Sequence, residues 1–220
     1  MGAPALRLTR ELAHDLRASL HGLSLALEMA NDGLPEGVQG RTLRCLTLAS
    51  AEVAQLDRTI EQVGLWIRLL NRDYTPRPAR MDLTAVLKEY LARPNPLREE
   101  QHFAVELPEA PVTVVGDPHI VRPALEGLVD FIRALSPGLE QERPALRLEQ
   151  GRITVKGPAT WLPIFESALT NLTPPPKGAG AVRWLVGPAL AVAVCRVSGG
   201  SVQVRSEKDG CSLRLHWFEP

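Results

Sequence analysis

Apolar residues recur at alternating spacings of three and four between Arg41 and Arg72. The positions are Leu46, Ala49, Val53, Leu56, Ile60, Val63, Ile67 and Leu70. Charged and polar residues fill most of the positions between them, which makes the stretch a heptad seam of about three and a half repeats. The pattern predicts one helix of about 30 residues, about 45 Å long.

A second stripe of leucines precedes this helix, at Leu12, Leu16, Leu20, Leu23 and Leu27. The segment between the two stripes, NDGLPEGVQG, is rich in residues that stop a helix and form a loop. The sequence therefore predicts an antiparallel helical hairpin over about residues 4–71. A lone hairpin cannot bury both stripes, and each leucine left in water forfeits about 1.5–3 kcal/mol. We therefore expect a homodimer in which two hairpins form a four-helix bundle.

The residue composition and the hydrophobic pattern change after this hairpin. The segment RDYTPRPARMDL carries prolines and charges, and it is interpreted as a linker over residues 73–82. Short helical and strand-like patterns alternate from there to the C-terminus. This order predicts an α+β protein: a helical hairpin domain over residues 1–72, the linker, and a two-layer α/β sandwich over residues 83–220.

Individual elements of the second domain can be assigned from local patterns. MDLTAVLKEYLA and DPHIVRPALEGLVDFIRALSPG predict helices, whereas HFAVELP and VTVVGD predict strands. One hairpin is predicted around Gln150 and Gly151, and another with Asp209 and Gly210 at its turn. Between these hairpins, TWLPIFESALTNL is expected to be helical, and VRWLVGPALAVAVCRVSGG is expected to be a buried helix that ends at a glycine pair.

The amino-acid composition limits which partners and which cellular compartment are expected for the protein. The chain has 220 residues, 45% of them hydrophobic and 23% charged, and a formal net charge of +0, which gives no support for a nucleic-acid or membrane-surface partner. No apolar stretch approaches the roughly 18 residues that cross a bilayer, and the N-terminus lacks an apolar signal region, so a cytoplasmic protein is expected. Cys45, Cys195 and Cys211 are expected to be reduced thiols, and with the histidines they form no close metal-ligand pattern.

The opening helix carries cations on its outer face. His14 lies two residues from a leucine on either side, so at about 100° per residue it points away from the apolar stripe. Arg10, His14, Arg17 and His21 share one face at spacings of four, three and four, and Asp15 follows the first histidine. An exposed imidazole beside cations can meet a phosphoryl group or the carboxylates of a partner. The pattern also fits an ordinary solvated face.

The segment LAHDLRASLHGL resembles the phospho-acceptor segment of two-component sensor histidine kinases. Its matching residues are His14, Asp15, Leu16, Arg17 and Leu20, whereas Ala18 and Ser19 replace the usual Thr and Pro. Two later segments also resemble that family: VVGDPHIVRPALEGLVDFIRALSP is similar to the N-box helix of the Bergerat-type ATP-binding domain, and GPALAVAVCRVSGGSVQVRSEKDGCSLRLHW is similar to its last helix and hairpin. The resemblance covers nearly the whole chain, in the family's order of parts.

The departures from the family concern the nucleotide site. The resemblance implies asparagines that hold Mg²⁺ and triphosphate where this chain has Gly127 and Phe131. It implies an aspartate that pairs with adenine near Lys156, and closely spaced glycines where Gly187 is followed by Pro and Ala. We therefore expect a degenerate domain that binds no ATP, with apolar packing of residues such as Phe131 and Trp161 in place of the nucleotide.

An acceptor helix joined to a degenerate ATP-binding domain resembles the dimeric histidine phosphotransferases of bacterial phosphorelays. The resemblance implies that His14 exchanges a phosphoryl group with receiver-domain aspartates, that Asp15 orients it or transfers a proton, and that Arg17 contacts the phosphate or the receiver. The flanking positions expected to contact the partner are Arg10, Ala18 and His21. No cofactor is expected on this chain, because Mg²⁺ would be supplied by the receiver domain.

Two alternatives remain open at the level of sequence. The chain is alternatively a non-catalytic pseudokinase adaptor, a dimer that binds a receiver domain or a histidine kinase without being phosphorylated. The replacement of the family's usual Thr and Pro by Ala18 and Ser19 favours this alternative. A third hypothesis, an active autokinase with diverged ATP-binding motifs, requires the substitutions in the nucleotide site to be tolerated together.

Overall fold

The computed structural model describes residues 20–30 without 22 and 26, residues 40–93, 102–136, 139, 143–170 and 183–217. The chain divides into two compact units, with the division between Gly64 and Leu65. The first unit contains residues 1–64 and 94–99, and the second, the α/β unit, contains residues 65–93 and 100–220. Within the described ranges, no helix is long and apolar enough to span a lipid bilayer.

Helix α1 extends from Arg41 to Leu70, which confirms the helix predicted from the heptad seam. Upstream, the described residues between 20 and 30 are also helical. The seam of α1 is partly open on the single chain: Val53 is buried, but Leu56 and Leu70 are each 40% exposed. The seam residues between these two leucines are half-buried. The apolar stripe therefore leaves a surface that a second molecule can cover.

The last turns of α1 belong to the α/β unit. Leu65 and Leu69 are buried in its hydrophobic core. Two residues after the end of α1, Arg72 has a φ of 59°, in the left-handed region that usually holds glycine just after a helix. The backbone N–H of Asp73 then donates to the carbonyl of Arg68 at 2.9 Å, which satisfies one of the free carbonyls of the last turn. The helix is thus closed by a backbone cap inside the α/β unit.

The α/β unit continues with short strands and helices. In chain order these are β1 (Ala79–Asp82), α2 (Leu83–Leu91), β2 (Ala104–Glu106), β3 (Thr113–Gly116), α3 (Pro118–Leu135), β4 (Ala145–Glu149), β5 (Arg152–Gly157), a 3₁₀ turn (Ala159–Trp161), α4 (Leu162–Thr170), α5 (Arg183–Val197), β6 (Ser201–Glu207) and β7 (Gly210–His216). Among the described residues, strands β2-β4-β5-β7-β6 form a five-stranded sheet in that order, and β1 pairs with β3. Only β2 and β4 run parallel in these sheets.

One face of the five-stranded sheet carries the core, because its strands alternate between buried apolar and exposed polar residues. The buried apolar side chains of the three central strands are Leu146, Leu148, Ile153, Val155, Cys211, Leu213 and Leu215. They form one hydrophobic cluster with the apolar residues of α3, α4 and α5. The opposite face is polar. This arrangement confirms the predicted two-layer sandwich of sheet and helices that follows a helical region.

Two local predictions need correction. Residues 79–82, assigned by the sequence to the linker, form strand β1, and the carboxylate of Asp82 caps α2 by accepting from the backbone N–H of Thr84 at 2.8 Å. The turn of the second hairpin consists of Lys208 and Asp209, because Glu207 pairs with Gly210. The first hairpin turns at Gln150 and Gly151, as predicted. A four-residue strand between prolines and a helix cap carries too little alternation to be recognised from sequence.

A buried carboxylate fastens the segment after α1 to the start of α3. Asp117 is 1% exposed and accepts from the backbone N–H of His119 at 2.9 Å, as the N-cap of α3. Its other oxygen accepts from the backbone N–H of Arg77 at 2.7 Å and from the hydroxyl of Tyr74 at 2.9 Å. Three donors therefore surround one carboxylate, which satisfies a charge that would otherwise be costly to bury.

These contacts shift the pKa values of Asp117 and Tyr74. Burial by itself raises the pKa of the Asp117 carboxyl, but the two backbone N–H groups and the Tyr74 hydroxyl outweigh it, so the pKa lies below its ordinary value. Burial and the neighbouring carboxylate raise the pKa of Tyr74. Asp117 is therefore stabilised in its ionised form, and Tyr74 in its protonated form, where it donates.

We expect Asp117→Asn to lower the free energy of unfolding by about 1–3 kcal/mol at neutral pH, because an amide N–H would face the donors of Tyr74 and Arg77. Urea denaturation followed by circular dichroism measures the change. Asp209→Asn, in the exposed turn of the second hairpin, is the matched control and should change stability by less than about 0.5 kcal/mol.

The same variant tests the pH dependence. Since the folded pKa of Asp117 lies below its unfolded value of about 3.9, its contribution is complete above that pH and is lost as the pH falls through the folded pKa. The wild-type protein should therefore lose stability below about pH 4 more steeply than Asp117→Asn does. Parallel stability curves for the two proteins would contradict the assignment.

Candidate functional site

The proposed phospho-acceptor lies outside the described residues. The same is true of Arg10, Asp15, Arg17 and Ala18, so the roles predicted for them and for His14 stay predictions. His21 is described: it is exposed and lies in a helical segment. The geometry of the structure therefore concerns the second set of predicted positions, those of the nucleotide site.

Helices α3 and α5 touch backbone to backbone at two of these positions. A Cβ atom placed on Gly187 would lie 2.1 Å from the carbonyl oxygen of Gly127 and 2.6 Å from its carbonyl carbon. Both glycines are buried. The contact requires glycine at position 187, because any side chain there would overlap the backbone carbonyl of Gly127. Positions 127 and 187, which the sequence resemblance assigned to nucleotide binding, are thus in direct contact with each other.

An aromatic cluster surrounds the third position. Phe131 lies one turn after Gly127 on α3, and its ring centroid is 4.8 Å from that of Trp161, at an interplanar angle of 65°. Phe165 completes the cluster, 5.8 Å from Phe131 and 6.2 Å from Trp161. All three rings are at most 3% exposed. Edge-to-face pairs of this geometry contribute about 0.5–1.5 kcal/mol each beyond their buried area.

The packing of Phe131 and Trp161 was expected from the sequence and is confirmed. Two of the participants were not predicted. Phe165 follows Trp161 by four residues in an apolar segment, and this spacing could have identified it as a neighbour on one helix face. Gly157 packs against the indole ring of Trp161: a Cβ atom on Gly157 would lie 2.2 Å from Cε3 of that ring. No local pattern in the sequence indicates this second contact.

The fourth position, Lys156, does not join the cluster. It lies on the polar face of the five-stranded sheet, opposite Ser212 in the register of β5 and β7. Its ammonium group is 3.7 Å from a carboxylate oxygen of Glu207. Glu207 also accepts from the hydroxyl of Ser212 at 2.7 Å and from Arg214 at 3.2 Å. The Ser212 hydroxyl first, and then the two cations, keep the pKa of Glu207 below its ordinary value despite partial burial.

The buried thiols serve packing. Cys195 and Cys211 are both buried in the core, and burial raises their pKa values to about 12 and about 11. At neutral pH both are protonated and hence poor nucleophiles and metal ligands. Cys45 is exposed on α1. In the part of the chain that the structure describes, no group of three or more His, Cys, Asp or Glu side chains could hold a metal ion.

No protein-family model and no curated protein matches the chain. Solved structures do match. The crystal structure of full-length ShkA in complex with AMPPNP superposes with a TM-score of 0.60 at 16% identity, over 97% of this chain and 47% of that one. A bacterial phosphotransferase gives a TM-score of 0.48 at 13% identity, covering 97% of each chain. The cytoplasmic segment of the histidine kinase QseC gives 0.47 at 16% identity, over 77% of this chain and 95% of that one.

At this level of identity the similarity concerns the fold. A helical N-terminal region is followed by an α/β domain whose five-stranded sheet is covered by helices. The chain is therefore a histidine kinase-like protein in its fold.

We expect Gly187→Ala to lower the free energy of unfolding by about 3 kcal/mol or more, because its methyl group would overlap the carbonyl of Gly127. Chemical denaturation of the full chain measures the loss. Gly64→Ala is the matched control: Gly64 also lies inside a helix, but a Cβ there meets no atom within 4 Å. The control should gain about 0.5–1 kcal/mol from helix propensity. Equal stability of the two variants would contradict the backbone contact.

Proposed function

We propose that the chain is a histidine phosphotransferase that relays a phosphoryl group between receiver-domain aspartates and His14, without binding ATP. The observation that supports this most strongly is the occupation of the predicted nucleotide positions by the protein itself. Gly127 is in contact with Gly187, and Phe131 packs on Trp161, within a histidine kinase-like fold. An acceptor helix attached to such a domain can exchange phosphoryl groups but lacks a donor nucleotide.

The chemistry of the site argues against a bound Mg²⁺–triphosphate. Mg²⁺ requires oxygen ligands at short distance, and Phe131 offers none at the position where the family carries asparagine. A triphosphate would also have to displace buried aromatic side chains, while its own charge would lose hydration in an apolar surrounding. Lys156 cannot replace the aspartate that accepts from the adenine amine, since an ammonium group only donates. These three considerations support the absence of ATP binding that we propose.

The proposed transfer needs a nucleophile and little else from this chain. A neutral imidazole of His14 attacks the phosphorus of the receiver's aspartyl phosphate in line; the new N–P bond forms as the P–O bond to the aspartate breaks, and the carboxylate leaves. Asp15 is assigned the orientation of the imidazole or the transfer of its proton. Arg17 is assigned contact with the phosphate or the receiver. Arg10, Ala18 and His21 are assigned to the receiver-binding flank.

We further propose that the protein acts as a homodimer. The seam of α1 repeats at heptad spacing, and its leucines at positions 56 and 70 remain 40% exposed on a single chain. The neighbouring Leu65 and Leu69 are already buried in the α/β core, so the open stripe is a second apolar surface of the same helix. A second copy of the hairpin supplies a matching stripe and completes a four-helix bundle.

We expect Leu56→Glu to dissociate the dimer, because a carboxylate placed in the apolar seam cannot be desolvated without a partner. Sedimentation analysis of the full chain measures the change in mass. Ala54→Glu, two residues away and exposed on α1 outside the seam, is the matched control and should leave the dimer intact. A wild-type protein that sediments as a monomer would contradict the proposal.

We expect phosphoryl label from a phosphorylated receiver domain to arrive on the wild-type chain and on His102→Ala, but not on His14→Ala. Intact-mass measurement after incubation detects the added phosphoryl group. His102 is the matched control because it is an exposed histidine to which no role in transfer or receiver binding is assigned. Binding of MgATP by the full chain in calorimetry, or label on His14→Ala, would contradict the proposal.

A non-catalytic adaptor is the second candidate function, and a specific observation favours it. Ala18 and Ser19 replace residues that the family's acceptor segment usually carries, so the acceptor motif itself has changed. An adaptor would bind a receiver domain or a histidine kinase tightly and carry no label. The incubation described above separates the two functions directly. The packed nucleotide positions disfavour an active autokinase.

A further inference from the structure

A glycine lies inside the long helix α1 without a close contact that requires it. Among the described residues, no atom of a neighbouring segment lies within 4 Å of a Cβ atom built on Gly64. Gly187 is the opposite case, because a Cβ there would overlap the carbonyl of Gly127. Glycine weakens a helix relative to alanine, so Gly64 lowers the stability of α1 at this point without permitting closer packing within the chain.

The residues just before Gly64 also weaken the helix. The sequence TIEQV, residues 59–63, contains three β-branched residues, which lose side-chain freedom in a helix. The hydroxyl of Thr59 donates to the backbone carbonyl of Gln55 at 2.9 Å, a bond that is common where helices bend. The following residues, LWIRLL at 65–70, are mostly strong helix formers. The weak part of this helix therefore ends at Gly64.

The boundary between the two compact units falls at the same place. It separates Gly64 from Leu65, so it divides a continuous helix and does not coincide with the predicted linker. Leu65 and Leu69 are buried in the core of the α/β unit, and Trp66 packs against that core. The last turns of α1 are therefore part of the α/β unit and are expected to move with it.

The segment after α1 is fastened to the α/β unit at several points. The hydroxyl of Tyr74 and the backbone N–H of Arg77 both donate to the buried carboxylate of Asp117. Strand β1 pairs with β3, and the backbone N–H of Leu83 donates to the carbonyl of Val112 at 3.0 Å. The two prolines of the sequence TPRP also have a fixed φ. A linker held in this way is a poor place for a pivot.

We propose that the α/β unit pivots on helix α1 at Gly64, and that the predicted linker is not the hinge. A hinge needs only a few residues that absorb a change of φ and ψ, and glycine has the widest range of both angles. The α/β unit then reorients as one body that includes the last turns of α1. This inference concerns conformation and does not depend on phosphoryl transfer.

The test measures distances between two spin labels on the full chain. One label is attached to Cys45, which is exposed on α1 before the glycine, and the other to a cysteine introduced by Lys208→Cys in an exposed turn of the α/β unit. Cys195 and Cys211 are buried and should not react. Labelled chains are diluted with an excess of unlabelled chain, so that double electron–electron resonance measures the distribution of distances within one subunit.

We expect Gly64→Ala to narrow the distribution of distances, because the methyl group restricts the backbone and strengthens the helix. Thr75→Gly is the matched control: Thr75 is exposed in the linker, where an added glycine should leave the width unchanged because the segment is held on both sides. Circular dichroism checks that both variants are folded.

Hydrogen exchange resolved by residue provides a second measurement. In an α-helix the backbone N–H groups of residues 65–68 donate to the carbonyls of residues 61–64, so a local opening at Gly64 exposes them. Gly64→Ala should slow their exchange by about two- to fivefold, the factor that corresponds to the difference in helix propensity. The N–H of Arg77, bonded to Asp117, should exchange at the same rate in both proteins.

Three results would overturn the proposal. The first is an unchanged width in Gly64→Ala. The second is a broader distribution in Thr75→Gly, which would place the hinge in the linker. The third is dissociation of the dimer by Gly64→Ala in sedimentation analysis, because the glycine would then serve the close approach of a second copy. The labels report on a single chain, so a monomeric wild type, or the absence of a phosphoryl group on His14, contradicts the proposed function and leaves the hinge intact.

Discussion

In the helix layer that covers the sheet, α3 and α5 cross closely where Gly187 lies against the backbone carbonyl of Gly127, and this contact leaves no room for a side chain at position 187. Because the backbones touch, the apolar residues on both sides of the crossing interlock at short distance. Phe131 is held one turn further along α3, where it meets Trp161 and Phe165. A methyl group at the crossing would separate the helices and loosen this cluster.

The same crossing connects the fold to the proposed function. The positions that the sequence resemblance assigned to nucleotide binding, Gly127, Phe131 and Gly187, hold a backbone contact and aromatic packing. Packing of this kind stabilises a closed core, whereas a nucleotide site must keep a polar cavity and exclude such contacts. The stability of the α/β domain and the proposed loss of ATP binding therefore have one physical cause.

The apolar residues of helix α1 form two separate surfaces. Leu65 and Leu69 are buried in the α/β core, while Leu56 and Leu70 stay exposed on the heptad seam. The segment that follows is fastened by Asp117 and leaves its arginines in solvent. One stretch of chain thus completes the core and presents an apolar seam. Substitutions in it are expected to separate these roles, since each role uses different side chains.

The sequence by itself determined the elements whose signal is local: the 30-residue helix, the alternating strands, and the turn at Gln150 and Gly151. Periodicity and turn chemistry act between neighbours, so they can be recognised without a fold. Only the tertiary structure decided the contacts between distant residues. Tyr74 reaches Asp117 across 43 positions, and Gly127 meets Gly187 from another helix. Such pairs depend on how the helices and strands pack, which no local pattern encodes.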